Sequence, residues 1–106
     1  IGILPGTGLH EANPNCNIVI PTGIGYARNV INILSADIII ALTGKAGTLS
    51  ELAYAWQYKK PVICCTFSEG WSKRITKEPI DDRPGGKMYE AHNLEEVFKI
   101  LMEELK

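Results

Sequence analysis

Apolar residues along this chain fall into short unbroken runs, each closed by a glycine-rich turn, and stretches with a helical period lie between them. Ile1 to Leu4 is the first run, ended by Pro5-Gly6-Thr7-Gly8. Residues 9–17 are polar and turn-rich, as a surface loop is. Asn17 to Pro21 makes a second run, stopped by Thr22-Gly23. The period then changes. Ile24, Ala27, Val30, Ile31 and Leu34 share one face of a predicted helix, with Arg28, Asn29 and Asn32 on its polar side. Asp37 to Leu42 predicts a third strand, apolar enough to be covered on both faces. A second helix is expected from Thr48 to Tyr58, with Leu49, Leu52, Ala53 and Trp56 toward the core. Lys59 and Lys60 suit the negative end of its dipole, and Pro61 stops it. Val62 to Phe67 reads as a fourth strand. Residues 68–86 predict a long loop with one helical turn, and Lys87 to Ala91 a fifth strand. Asn93 then caps a final helix running to about Lys106, with Glu96 at the capping-box position.

Strands alternating with helices predict an α/β fold: a Rossmann-like, three-layer arrangement around a mostly parallel sheet, in one domain spanning residues 1–106. The chain opens on Ile1, inside a strand and without an initiator Met. An N-terminal strand–helix unit is therefore expected to be missing. In parallel sheets, ligands bind beyond the carboxyl ends of the strands. All three glycine-rich segments follow a strand, so all three are expected at one edge: Pro5 to Gly8, Thr22 to Gly25, and Thr43 to Thr48.

The third segment, "LTGKAGTLSEL", carries the most chemistry. Glycine lets the backbone turn tightly and approach a ligand. A helix starting at once points free N–H groups and a partial positive charge into that space. Gly44, Lys45, Ala46, Gly47 and Thr48 thus suit a phosphate, with Gly23, Gly25 and Asn29 nearby as further ligand-binding candidates. The loop is not a Walker A motif, because Ala46 follows Lys45 and Ile39 stands at the upstream glycine position. Glu51 has two readings. Three residues after Thr48, it fits a capping box; it also suits a ligand-facing carboxylate.

Composition narrows the partners. The net charge of −1 provides no field for a nucleic-acid polymer or an anionic membrane. No apolar run reaches the roughly 20 residues of a membrane span. Cys16, Cys64 and Cys65 lack metal-ligand spacing, so no metal site is expected. The adjacent pair reads as small core residues in a reducing, cytoplasmic setting.

The strand–loop–helix resembles the P-G-G-x-G-T-x-x-E motif of the LOG-like proteins of the SLOG superfamily, once labelled possible lysine decarboxylases. Gly44, Gly47, Thr48 and Glu51 match it. Arg28 falls at the offset of the family's arginine, 15 residues before Thr43 and 23 before Glu51. "IGILPG" and "NIVIPTGIGYARNVINILSADIIIAL" are similar to a branch that includes molybdenum-cofactor-carrier-like proteins. The likeness is clear over residues 1–66 and loose beyond. It implies a homo-oligomer, dimer or tetramer, and one of two functions. One is N-glycosidic hydrolysis of a nucleoside 5′-monophosphate to base and ribose 5-phosphate, with Glu51 and Arg28 catalytic and no cofactor. The other is non-catalytic carriage or sensing of a nucleotide or molybdenum cofactor. Lysine decarboxylation is not implied; it needs a lysine held for pyridoxal phosphate and a much larger domain. Four positions depart from the family: Thr43 for proline, Lys45 for glycine, Ser50 for glutamate and Asn29 for lysine. A lysine at position 45 would cost about 1 kcal/mol or more if that position required φ > 0.

Overall fold

A computed structural model describes all residues, Ile1–Lys106. Its first strand, β1 (Gly2–Leu4), pairs in parallel with β2 (Val19–Pro21). Helix α1 (Arg28–Ser35) follows, entered through a 3-10 turn at Gly25–Ala27. Strand β3 (Ile39–Ala41), helix α2 (Ala46–Gln57) and strand β4 (Val62–Cys65) come next. A one-turn helix, α3 (Trp71–Arg74), runs into a further 3-10 turn at Ile75–Lys77. Strand β5 (Met88–Ala91) and helix α4 (Leu94–Glu104) complete the chain. Every pairing is parallel, and the order β3-β4-β5 puts β4 at the centre of the larger sheet.

Strand β4 shows why an unbroken apolar run is needed there. Successive side chains point to opposite faces of a strand. Val62 and Cys64 join Ile33, Ala41, Leu52 and Ala55 on the α1/α2 side. Ile63 and Cys65 join Ala91 and Val97 on the α4 side. Helices therefore cover both faces, giving the three-layer Rossmann-like α/β fold that the pattern predicts.

Four expectations about elements are corrected. The sheet is not continuous: β1-β2 and β3-β4-β5 are separate hydrogen-bonded pieces. Strand β3 pairs only with β4, so its other edge is unpaired, and Ile40 and Leu42 are exposed rather than covered on both faces. The buried face of α1 is not the Ile24–Leu34 stripe either; Ile24 and Leu34 are each 50% exposed, while Asn29 and Ile33 are buried. A polar face turns inward here because α1 packs on α2 through side-chain hydrogen bonds. Finally, α2 begins at Ala46, two residues before the predicted start. Thr48 lies inside the helix and Lys45 is its N-cap, so the Thr48–Glu51 capping box does not form.

No helix is long and apolar enough to cross a membrane. All three cysteines are free thiols, with Cys64 and Cys65 buried in the core. Burial, then the neighbouring Cys65 and Glu90, pushes the Cys64 thiol up to about 12.

Candidate functional site

Between β3 and α2 the backbone makes an unusual turn. Thr43 has φ 51° and Gly44 φ 110°, both in the left-handed region. Proline, locked near φ −65°, cannot adopt the Thr43 conformation. Threonine in place of the family's proline can reach this backbone conformation, at the strain a β-branched residue bears in the left-handed region. Lys45 has φ −109°, outside the left-handed region, so lysine there carries no left-handed strain. Gly44 is obligatory for a second reason: a Cβ on it would overlap the Thr48 side chain.

Residues 25 or more positions downstream hold this turn in place. The Thr43 N–H donates to Ser68 Oγ at 3.0 Å. Trp71 N–H donates to the Gly44 carbonyl at 3.1 Å and Ser72 N–H to the Thr43 carbonyl at 3.0 Å. The Ser68 and Ser72 hydroxyls both donate to the Cys65 carbonyl, at 2.8 and 3.3 Å, tying the turn to the end of β4. Gly70, at φ 102°, lies so close that a Cβ would come within 2.6 Å of the Gly44 oxygen. Ser68, Gly70 and Ser72 brace the turn, and sequence pattern did not reveal them. Their only local signal is a serine–glycine cluster after a strand, which a solvated loop also shows.

The turn aims the start of α2 outward. The N–H groups of Ala46, Gly47 and Thr48 have no acceptor within the chain; the first bonded amide is Leu49, to the Lys45 carbonyl at 3.0 Å. Lys45, Ala46 and Gly47 line a cavity of about 390 Å³ with Tyr26, Asn29 and Ser50. Asn29 is 5% exposed and donates through Nδ2 to Ser50 Oγ at 3.0 Å, and Ser50 Oγ donates to the Gly47 carbonyl at 2.6 Å. Two of the departures from the family motif, Asn29 and Ser50, are thus direct partners. Where the motif has a lysine and a glutamate, this chain has a neutral hydrogen-bonded pair.

Glu51 faces a different space. It lines a groove of about 200 Å³ with Thr48, Leu52 and Ile39 to Leu42, along the unpaired edge of β3. Arg28 Nη1 stands 3.8 Å from Glu51 Oε1, and Asn32 Nδ2 donates to the same oxygen at 3.0 Å. Arg28 and Asn32 are four apart on α1 and so share a helix face. Asn32 belongs to this group although its sequence position marked only a polar side. The Arg28 Nε is buried without a hydrogen-bond partner. A half-buried guanidinium and carboxylate at this separation interact without the short geometry of a fork-to-fork pair.

Gly23 and Gly25, at φ 68° and 64°, knit the first two glycine-rich turns together. Their N–H groups donate to the Gly6 and Pro5 carbonyls at 3.0 and 2.9 Å. These amides are therefore engaged within the chain. The candidate residues form two groups on either flank of the α2 N-terminus: Lys45, Ala46, Gly47 and Asn29 in the larger cavity, and Thr48, Glu51 and Arg28 at the β3 groove.

Fold and site together define a Rossmann-like protein with an open cleft beside a glycine turn at a helix N-terminus. Residues 1–98 match the SLOG cluster4 family, and the chain belongs to that family. Two solved structures share the fold. The X-ray structure of TM1055, a structural genomics target, superposes with a TM-score of 0.88 at 29% identity, covering 96% of this chain and 62% of that one. A molybdenum cofactor binding protein from the phototrophic bacterium Rippkaea orientalis gives 0.82 at 32% identity, covering 99% and 61%. An uncharacterized protein of Archaeoglobus fulgidus is 44% identical over 50 residues, 47% of this chain and 33% of its own length. The chain thus spans a third of that relative and about three fifths of the two solved structures. The family and the Rippkaea structure agree with the SLOG resemblance read from the glycine turn.

Proposed function

We propose that this chain binds a small phosphorylated ligand, nucleotide or molybdenum cofactor, with its phosphate at the N-terminus of α2. The observation that carries this is the outward set of Ala46, Gly47 and Thr48 amides, unused within the chain and flanked by Lys45. Such amides add hydrogen bonds to the favourable dipole end of the helix. Lys45 adds a mobile cation for the anion. Gly23 and Gly25 shape the adjoining turn, and Asn29 holds Ser50 in the cavity wall. The Rippkaea relative's named ligand supports a molybdenum cofactor as cargo, and the residues fit its phosphate rather than its metal. No cluster of three or more His, Cys, Asp or Glu side chains stands ready to ligate a metal. The reducing setting expected for Cys64 and Cys65 suits a cytoplasmic carrier.

Phosphate binding is tested by calorimetry with inorganic phosphate and AMP. Lys45→Ala should weaken both. A Cβ at Gly47 would meet only Asn29 Nδ2, at 3.8 Å, so Gly47→Val should fold and fill the cavity, abolishing binding. Unchanged affinity in Gly47→Val excludes the cavity.

A second reading is hydrolysis of a nucleoside 5′-monophosphate. It is favoured by the Glu51 carboxylate, which Arg28 and Asn32 orient from α1. Cleavage builds positive charge on the ribose, and a carboxylate stabilises it or activates water. Glu51 and the α2 amides lie on adjoining flanks, so the substrate would straddle the helix start. Incubation with AMP and assay for free adenine decides it: release that Glu51→Gln abolishes supports hydrolysis. No release from common monophosphates, with phosphate-dependent thermal stabilisation, leaves a carrier. Gln keeps an oxygen for Asn32, so Glu51→Gln should change stability by less than about 1 kcal/mol.

A further inference from the structure

We infer that Tyr26 is the stacking platform for a planar heteroaromatic ring carried by the phosphorylated ligand. This rests on the phosphate site proposed above and adds the ligand's second half. Tyr26 is 92% exposed, the most exposed aromatic in the chain, and makes no side-chain hydrogen bond. It nevertheless rims the cavity that contains Lys45, Gly47 and Ser50.

Its backbone position is held. Tyr26 lies in the 3-10 turn Gly25–Ala27. Gly25, at φ 64°, bends the chain into that turn and donates its N–H to the Pro5 carbonyl at 2.9 Å. On the other side, Arg28 begins α1, and Asn29 locks that helix to Ser50. The backbone beneath the ring is fixed, and a tyrosine has only two side-chain torsions to restrict when a ligand stacks on it. The remaining wall offers an ammonium, an amide, a hydroxyl and backbone N–H groups. An aromatic face beside donors for an anion recognises a ring joined to a phosphate. A cavity of about 390 Å³ lies within the roughly 300–1,000 Å³ of small-molecule sites. A purine ring and a pterin ring both satisfy this chemistry.

The test is calorimetry on the full chain with ribose 5-phosphate, AMP and neopterin monophosphate, for the wild type, Tyr26→Ala and Tyr26→Phe. The ring-bearing ligand should bind the wild type more tightly than ribose 5-phosphate. Tyr26→Ala should lower its affinity about tenfold or more, the scale of base–aromatic stacking, and leave ribose 5-phosphate unchanged. Tyr26→Phe should retain the wild-type affinity. Which of the two monophosphates responds identifies the ring. If the ligands bind but Tyr26→Ala matches the wild type for both rings, stacking is overturned and the phosphate site stands. If neither ribose 5-phosphate nor either ring-bearing ligand binds, the phosphate site fails and the stacking role falls with it. Because Tyr26 is exposed, Tyr26→Ala should melt as the wild type does; a lowered melting temperature would show a structural role instead.

Discussion

Gly44 and Gly47 have the same chemistry and opposite roles. Gly44 is held at φ 110° under Thr48, so Gly44→Ala should destabilise the chain by more than about 1 kcal/mol in urea unfolding. Gly47 has open space beside it, so Gly47→Ala should leave stability within about 1 kcal/mol and act on ligand affinity. Equal stability losses in the two variants would contradict this division. Both glycines and Lys45 were legible in the sequence, because a turn between a strand and a helix is a local event; the Arg28–Glu51 spacing was legible only through the family resemblance. Ser68, Gly70, Ser72 and Asn32 were not, because each acts on a residue 19 or more positions away. The thiols follow the same logic of surroundings. Burial raises the pKa values of Cys64 and Cys65, which suppresses the reactive thiolate. Native protein at about pH 8 should therefore show one fast thiol, Cys16, with a disulfide reagent, and three after unfolding.

Helix ends show how far local pattern reaches. Asn93 caps α4 as its sequence predicts, accepting from the Glu96 N–H at 2.9 Å. The Glu96 carboxylate accepts from the His92 N–H at 2.7 Å, one residue before the cap, rather than from the cap itself. Asn93→Ala should cost about 1 kcal/mol in thermal or urea unfolding. The His92 amide, then its ring, holds the Glu96 carboxyl below its ordinary value. A depressed carboxyl stabilises the fold above its unfolded-state pKa, and that contribution fades as pH falls through the folded-state value. Glu96→Gln should therefore lose less melting temperature than the wild type between about pH 6 and about pH 3. An identical loss would remove Glu96 from the acid response. At α2 the pattern failed by two residues, since Thr48 and Glu51 imitate a capping box that the glycine turn pre-empts. At α1 it mistook which face is buried, since the inward face carries asparagines satisfied by Ser50 and Glu51.

Across the molecule, α4 leaves Leu94, Phe98, Met102 and Leu105 exposed. Their spacing of four, four and three puts them on one stripe. A homo-oligomer, which the family resemblance implies, would bury such a stripe. Sedimentation equilibrium should give a multiple of the monomer mass for the wild type and the monomer for Phe98→Glu; a monomeric wild type would exclude assembly through α4. The sequence by itself determined the α/β class, the parallel strands, and the junction where glycines meet a helix start. These follow from periodicity and backbone freedom, which neighbours along the chain dictate. Only the tertiary structure decided that the sheet is in two pieces, that Asn29 and Ser50 are partners, and that the candidate residues divide between two flanks of α2. Those outcomes depend on which faces meet, and a face is defined by packing between residues far apart in the chain.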